Sequence, residues 1–213
     1  MPRPARVSPD RILAAAAGEF AERGFAGARV DRIARRARVN KAMLYYHFGS
    51  KQALYRALLR RHFSLAADRL QAIAAAGGTP ADKLDRVVAG LADLIREHDA
   101  FPAIMLREVA EGGAHLDRDT LRALVSVPRA FFAIVEEGVA SGAFRAVHPI
   151  VAYFSTLAPI VFFLAAGRIR SEVTARHLID LTALTPEEFV GQLQESLRRA
   201  LVRAPKAAAR STS

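Results

Sequence analysis

Val30-Asp31-Arg32-Ile33-Ala34-Arg35-Arg36-Ala37-Arg38-Val39-Asn40-Lys41-Ala42-Met43-Leu44-Tyr45-Tyr46-His47-Phe48-Gly49-Ser50-Lys51 is the stretch that decides the fold. Val30, Ile33, Ala34 and Ala37 recur at helical spacing and mark one face of a short helix over about 30–37. Asn40 is a favoured N-cap type, so a second helix runs from about Lys41 to Phe48. Two short helices joined by a three-residue turn make a helix-turn-helix. Val39, Leu44 and Phe48 join the first helix's apolar face and point inward. Lys41, Ala42, Tyr45 and Tyr46 then point outward at the start of the second helix.

That outward set suits double-stranded DNA. A recognition helix enters the major groove with its N-terminal end. Ala42 permits close approach, the tyrosine rings offer apolar contact to thymine methyl groups, and their hydroxyls can reach phosphates. Lys41 can reach a guanine edge or a phosphate. Ser50 and Lys51, at the next helix N-terminus, can form an anion site. The competing reading packs both tyrosines in the core. Tyr45 can do both, whereas the basic flank favours DNA for Tyr46. His47 either meets a phosphate or ties the domain together. Arg35, Arg36 and Arg38 read as a solvated basic face that adds salt-sensitive, nonspecific affinity.

On either side of this stretch, helical signals dominate the chain. Ser8 caps a first helix with Pro9 at its first position, and Ile12, Leu13, Ala16, Ala17 and Phe20 recur along it until Gly24 ends it as a left-handed cap. Ser50 caps a fourth helix to about Ala76. Thr79-Pro80 restarts the chain to about His98. Further helices are expected over 101–111, over 120–141, and over 149–166 with a kink at Pro159. A short one is expected after Ser171. Thr185-Pro186-Glu187-Glu188 forms a capping box for a last helix to about Val202. The fold class is all-α: a three-helix helix-turn-helix domain (1–55), a helical domain (56–203) and a disordered tail (204–213).

Charge separates the same two parts. The net charge is +10; the first 62 residues hold 14 Lys+Arg against 4 Asp+Glu, and the remainder holds 17 of each. A basic head on a neutral body is the pattern of a polyanion-binding module joined to something else. The 52% hydrophobic content supplies a core, and the lack of cysteine excludes disulfides, thiolate metal sites and a cysteine nucleophile. The N-terminus lacks a signal-peptide core, and Pro149–Ala166 reads as a core helix rather than a membrane span, so a cytoplasmic protein is the default.

Ile33-Ala34, Val39, Leu44-Tyr45-Tyr46-His47-Phe48 and Ser50-Lys51, preceded by Phe20, Gly24 and Phe25, resemble the DNA-binding domain of tetracycline-repressor (TetR) family regulators. The resemblance covers roughly residues 8–58; the rest matches by length and helicity. It implies a homodimer, a palindromic operator and release by a ligand bound in the C-terminal domain. By the family's pattern Lys41, Ala42 and Tyr45 face bases, and Met43, Tyr46, His47 and Lys51 face the backbone. Asn40 and Arg29 complete the expected DNA contacts. The chain departs from the pattern in three places. Arg38 stands where glycine is usual. Ala28-Arg29 replaces a hydroxyl cap worth ~1 kcal/mol. Met43 replaces a small or hydroxyl residue.

In the C-terminal part, Phe101, Met105, Phe131 and Phe132 are candidate pocket residues for a small apolar or amphipathic effector. Tyr153, Phe154, Phe162 and Phe163 extend that set. Each is also an ordinary core candidate. His98 and Glu108 are expected to supply polar groups, with Arg107 and His115 as further candidates. No ligand spacing supports a metal at His98 or His115, and no cofactor is expected. The dimer is expected to use the last two long helices, with Phe189, Leu193, Leu197 and Leu201 as one seam; both helices can also simply pack within one chain. No phosphate loop, His-Glu metal spacing or serine elbow points to an enzyme. A nonspecific architectural DNA-binding protein is the other alternative, and the neutral body argues against it.

Overall fold

The computed structural model describes residues 8–203 as ten helices: α1 (Pro9–Gly27), α2 (Val30–Ala37), α3 (Lys41–Phe48), α4 (Lys51–Ala75), α5 (Pro80–Glu97), α6 (Phe101–Ala110), α7 (Arg118–Ala140), α8 (Pro149–Ala165), α9 (Gly167–Ala175) and α10 (Pro186–Leu201). The expected tail, 204–213, lies outside the described residues.

Seven of the ten helices begin where a side chain satisfies a free N–H group, α2, α6 and α9 being the exceptions. Ser8, Asn40 and Ser50 accept from Asp10, Met43 and Ala53, and capping boxes pair Thr79 with Asp82 and Thr185 with Glu188. α7 starts two residues before the expected Thr120 because Asp117 caps it, accepting from the Thr120 N–H at 2.9 Å. α8 runs through Pro159 to Ala165, and the 49° bend comes after it, between α8 and α9. α9 begins at Gly167, ahead of the expected start after Ser171. Gly24 has φ 66° and ψ 178°, a backbone open to glycine but not the left-handed helical cap expected there. It turns the chain, and one further helical turn follows to Gly27.

α1, α2 and α3 close around Ile12, Ala16, Phe20, Ile33 and Leu44, each at most 1% exposed. α4 leaves this head and packs along α7 in the body, where α5, α8 and α10 complete the core; α1 also packs on α6. The head therefore meets the body through α4 and through the α1–α6 contact. Among the described residues no single helix is long and apolar enough to cross a membrane.

Candidate nucleic-acid interface and effector region

Leu44 is fully buried and anchors α3 from below. With that face fixed, Lys41, Ala42, Tyr45 and Tyr46 form its exposed face, and Tyr46 is 83% exposed. An aromatic side chain so far from the core does not stabilise this fold by burial. Its ring stands edge-on to His47 at 5.4 Å, and both His47 and Met43 are half-buried beside it. Asn40 Oδ1 accepts from the Met43 N–H at 2.6 Å, so the Asn40 oxygen belongs to the cap and its amide NH2 alone remains for another partner. Lys41 pairs with Asp31 at 2.9 Å. Their hydrogen bond and mutual charge raise the Lys41 pKa and lower that of Asp31. Arg38 has φ 52° and ψ 47°, the left-handed conformation that glycine takes freely.

Arg29 lacks a side-chain cap for α2, as the missing hydroxyl implies. Its own N–H instead donates to Glu19 Oε1 at 3.1 Å, and Arg32 Nε donates to the same oxygen at 2.6 Å. Glu19 is 2% exposed. Burial alone would raise its pKa, but bonds from Arg32 and the Arg29 N–H and the charges of Arg32 and Arg36 outweigh burial and lower it. Glu19 thus clamps α2 to α1. Its trace in the sequence is a carboxylate within the apolar stripe Ile12, Ala16, Phe20. Arg36 is held by Glu22 and Glu19, so it is less free than a solvated cation; among the described residues Arg29, Arg35 and Arg38 have no ion pair.

Lys51 has a different task from the phosphate contact expected of it. Its ammonium donates to the carbonyls of Phe25 (2.8 Å), Ala26 (3.3 Å) and Ala28 (3.2 Å) and lies over the Phe25 ring. All three of its donors are engaged, tying α4 to the end of α1.

The ten expected effector residues do not converge on one cavity. Phe131, fully buried, and Phe132 meet Tyr153 edge-on between α7 and α8. Burial pushes the Tyr153 phenol up to about 12. Phe163 stacks on Phe189 under the Arg170 guanidinium. Phe154 and Phe162 are 60% and 69% exposed, facing out of the body rather than into it. Phe101 stacks on His62 at 4.3 Å and meets Phe63 edge-on, Met105 is half-buried on the same helix, and His98 meets His62 at 4.7 Å. Glu108, 1% exposed, faces the head: it accepts from the Tyr55 hydroxyl at 2.9 Å and from the His115 N–H at 2.9 Å.

Two clefts of about 480 and 470 Å³ lie on either side of His98. One runs between α4 and α5 past Leu65, Arg69 and Leu94. The other lies between α1, α4 and the α5–α6 turn, past Leu13, Ala17, His62 and Asp99. Of the ten expected residues, only His98 lines them. The α10 stripe is also taken within the chain: Leu197 and Leu201 are buried, and α10 packs on α5 and α8.

A helix-turn-helix head with an outward Tyr–Tyr face, carried on a helical body, defines a DNA-binding regulator. Residues 12–58 match the model for bacterial regulatory proteins of the tetR family, and residues 80–188 match the tetracyclin repressor-like C-terminal domain. The chain belongs to the tetR family, whose members are non-enzymatic transcription factors. It is 33% identical over 167 residues to the HTH-type transcriptional repressor NicS of Pseudomonas putida, covering 75% of this chain and 76% of that protein. Over the head alone, 52 residues are 50% identical to the HTH-type transcriptional activator FasR of Mycolicibacterium smegmatis, 24% of each chain. Among solved structures it is similar to the TetR-family regulator PfmR of Thermus thermophilus (TM-score 0.70, 23% identity, 91% of this chain and 100% of that one). It is also similar to FadR of Bacillus subtilis in complex with stearoyl-CoA (TM-score 0.65, 18% identity, 89% and 97%).

Proposed function

We propose that this DNA-binding regulator is a repressor that grips a palindromic operator as a homodimer and is released by a small apolar or amphipathic molecule. Residues 1–55 serve as the head and 56–203 as the body. The observation that carries the DNA contact is the exposed face of α3: Lys41 and Ala42 at its N-terminal end, then Tyr45 and Tyr46, over a buried Leu44. Ala42 and Tyr45 meet base edges. Tyr46, His47, Met43 and Asn40 meet the backbone, and Arg29 and Arg38 add unpaired positive charge beside them.

The dimer reading rests on α8 rather than on the α10 stripe. Val151, Phe154 and Phe162 fall on one side of α8 and are 58–69% exposed, an apolar face that water does not favour. A second copy meets it about a two-fold axis and sets the two heads ~34 Å apart, one turn of DNA. The effector reading rests on the clefts beside His98. A ligand between α1, α4 and the α5–α6 turn touches head and body together, so its differential affinity for two head positions shifts their populations.

Selection of binding sites from random DNA by the purified protein tests the first claim. An enriched palindrome with half-sites about one turn apart is the expected result. Binding without sequence preference that falls steeply with salt would promote the architectural reading instead.

A further inference from the structure

The α6–α7 connection brings together three side chains that the helix-turn-helix does not use. Gly112 and Gly113 both have positive φ and reverse the chain, with the Gly113 N–H bonded to the Glu108 carbonyl at 2.9 Å. His115 is thereby returned to the end of α6. Its Nδ1 lies 3.1 Å from Glu108 Oε2 and 3.3 Å from Glu111 Oε2, and one ligand atom from each of the three falls within 4.8 Å of the others.

Two features of this cluster ask for a cation. First, an imidazole nitrogen holds at most one proton, yet Nδ1 faces two carboxylates at nearly equal range. Two donor atoms each 2.0–2.2 Å from one metal ion, at 90–109°, stand ~2.9–3.5 Å apart, which brackets both separations. Second, Glu108 is 1% exposed, and among the described residues the ion-pair partner of both Glu108 and Glu111 is His115, one imidazole shared by two carboxylates. A buried carboxylate normally has a cation or a metal as partner. Glu108 is also oriented as ligating carboxylates are, by the Tyr55 hydroxyl and the His115 backbone N–H.

We propose that Glu108, Glu111 and His115 form a binding site for a divalent first-row transition-metal ion. One nitrogen and two carboxylates suit Zn²⁺ and its neighbours, whereas Mg²⁺ and Ca²⁺ prefer all-oxygen sites. The His115 ring lies 4.1 Å from that of Phe25 in the head and 5.5 Å from that of Tyr55 in α4. A metal that fixes His115 therefore braces the head against α6. The proposal goes beyond operator binding and does not depend on it.

Calorimetric titration of the tag-free protein with Zn²⁺ tests the site, with Mg²⁺ as control. One saturable Zn²⁺ per chain is expected. A hundredfold excess over Kd should raise the melting temperature by roughly 5–10 °C. Glu111→Gln and His115→Gln each remove that binding; Glu111 is exposed, so its variant keeps the fold. His148→Gln, at an exposed histidine elsewhere, leaves binding unchanged. Equal Zn²⁺ binding by wild type and Glu111→Gln, no saturable binding by the folded wild type, or equal affinity for Mg²⁺ would each overturn the assignment.

Discussion

The head and the body both leave large side chains in water, but of different kinds. The head exposes Tyr45 and Tyr46, rings with a polar end, beside cations without partners. The body exposes Val151, Phe154 and Phe162 along α8, which have no polar atom in their side chains. An amphipathic ring among positive charges matches a surface that is part apolar and part phosphate. A purely apolar face matches another apolar face. Surface chemistry thus separates the two tasks, and the head's contact can be removed while the dimer persists.

The largest effect should come from the body. Replacing Val151 and Phe154 together by glutamate puts four charges at a two-fold seam. The protein should sediment as a monomer with its helix content intact. Operator affinity should fall by on the order of 10²–10⁴, because the second head no longer binds at the high effective concentration the dimer provides. A variant that remains dimeric would break the assignment of α8. In the head, Tyr46→Ala should weaken operator binding by about 1–3 kcal/mol, roughly 5- to 150-fold, while the dimer and its melting temperature stay unchanged. Unaltered affinity would remove Tyr46 from the interface.

A third effect tests the join between the two regions. His62, 7% exposed on α4, donates Nδ1–H to the Leu58 carbonyl at 2.9 Å and stacks on Phe101. Burial drives its pKa from 6.5 down to about 4, aided by the neighbouring His98 and Arg61 charges and only partly opposed by the Leu58 bond. The unfolded chain then binds a proton that the folded chain refuses. Stability from this residue is complete above pH 6.5 and falls as pH drops from 6.5 to 4, by about 3 kcal/mol in all. Chemical denaturation at a series of pH values should show that slope in the wild type and its loss in His62→Gln. Glu19, whose pKa is lowered from 4.5 by Arg32 and the Arg29 N–H, adds its own loss only at the acid end of this window and below it. The same slope in both proteins would assign the pH dependence elsewhere.

The two regions also differ in how legible they are as sequence. The bounds of α2 follow from period and those of α3 from period and the Asn40 cap, since short helices on one small core leave each residue a single role. Capping chemistry marks α5 and α10 equally well. The body's aromatics carry no such mark. Phe131, Phe154 and Phe163 sit in equally apolar surroundings in the sequence, yet one is core, one faces solvent and one stacks on α10. Which side of α8 is covered depends on where α5, α7 and α10 arrive, and no local pattern states that. The α10 stripe shows the same ambiguity, because a seam within one chain and a seam between two have the same spacing. Lys51 and His115 were opaque for another reason. Their partners lie across turns set by Gly24 and by Gly112-Gly113, whose geometry brings distant carbonyls and carboxylates to them.

The smallest effect concerns the one turn residue where the head departs from its family. Arg38 holds φ 52°, a conformation that costs a side-chain-bearing residue about 1 kcal/mol relative to glycine. Part of that gain is lost again, because glycine makes the unfolded chain more flexible. Arg38→Gly should therefore stabilise the protein by less than about 1 kcal/mol, or up to ~3 °C in melting temperature. The guanidinium has no ion pair among the described residues and stands beside α3, so its loss removes one phosphate contact. Operator and random DNA should then both bind more weakly by a similar factor, with the salt slope reduced by about one. A stabler protein that binds all DNA less tightly would show that the strained turn is kept for its charge. Loss confined to the operator would make Arg38 a reader of base edges, and the division between Ala42 and Tyr45 as readers and the arginines as anchors would have to be redrawn.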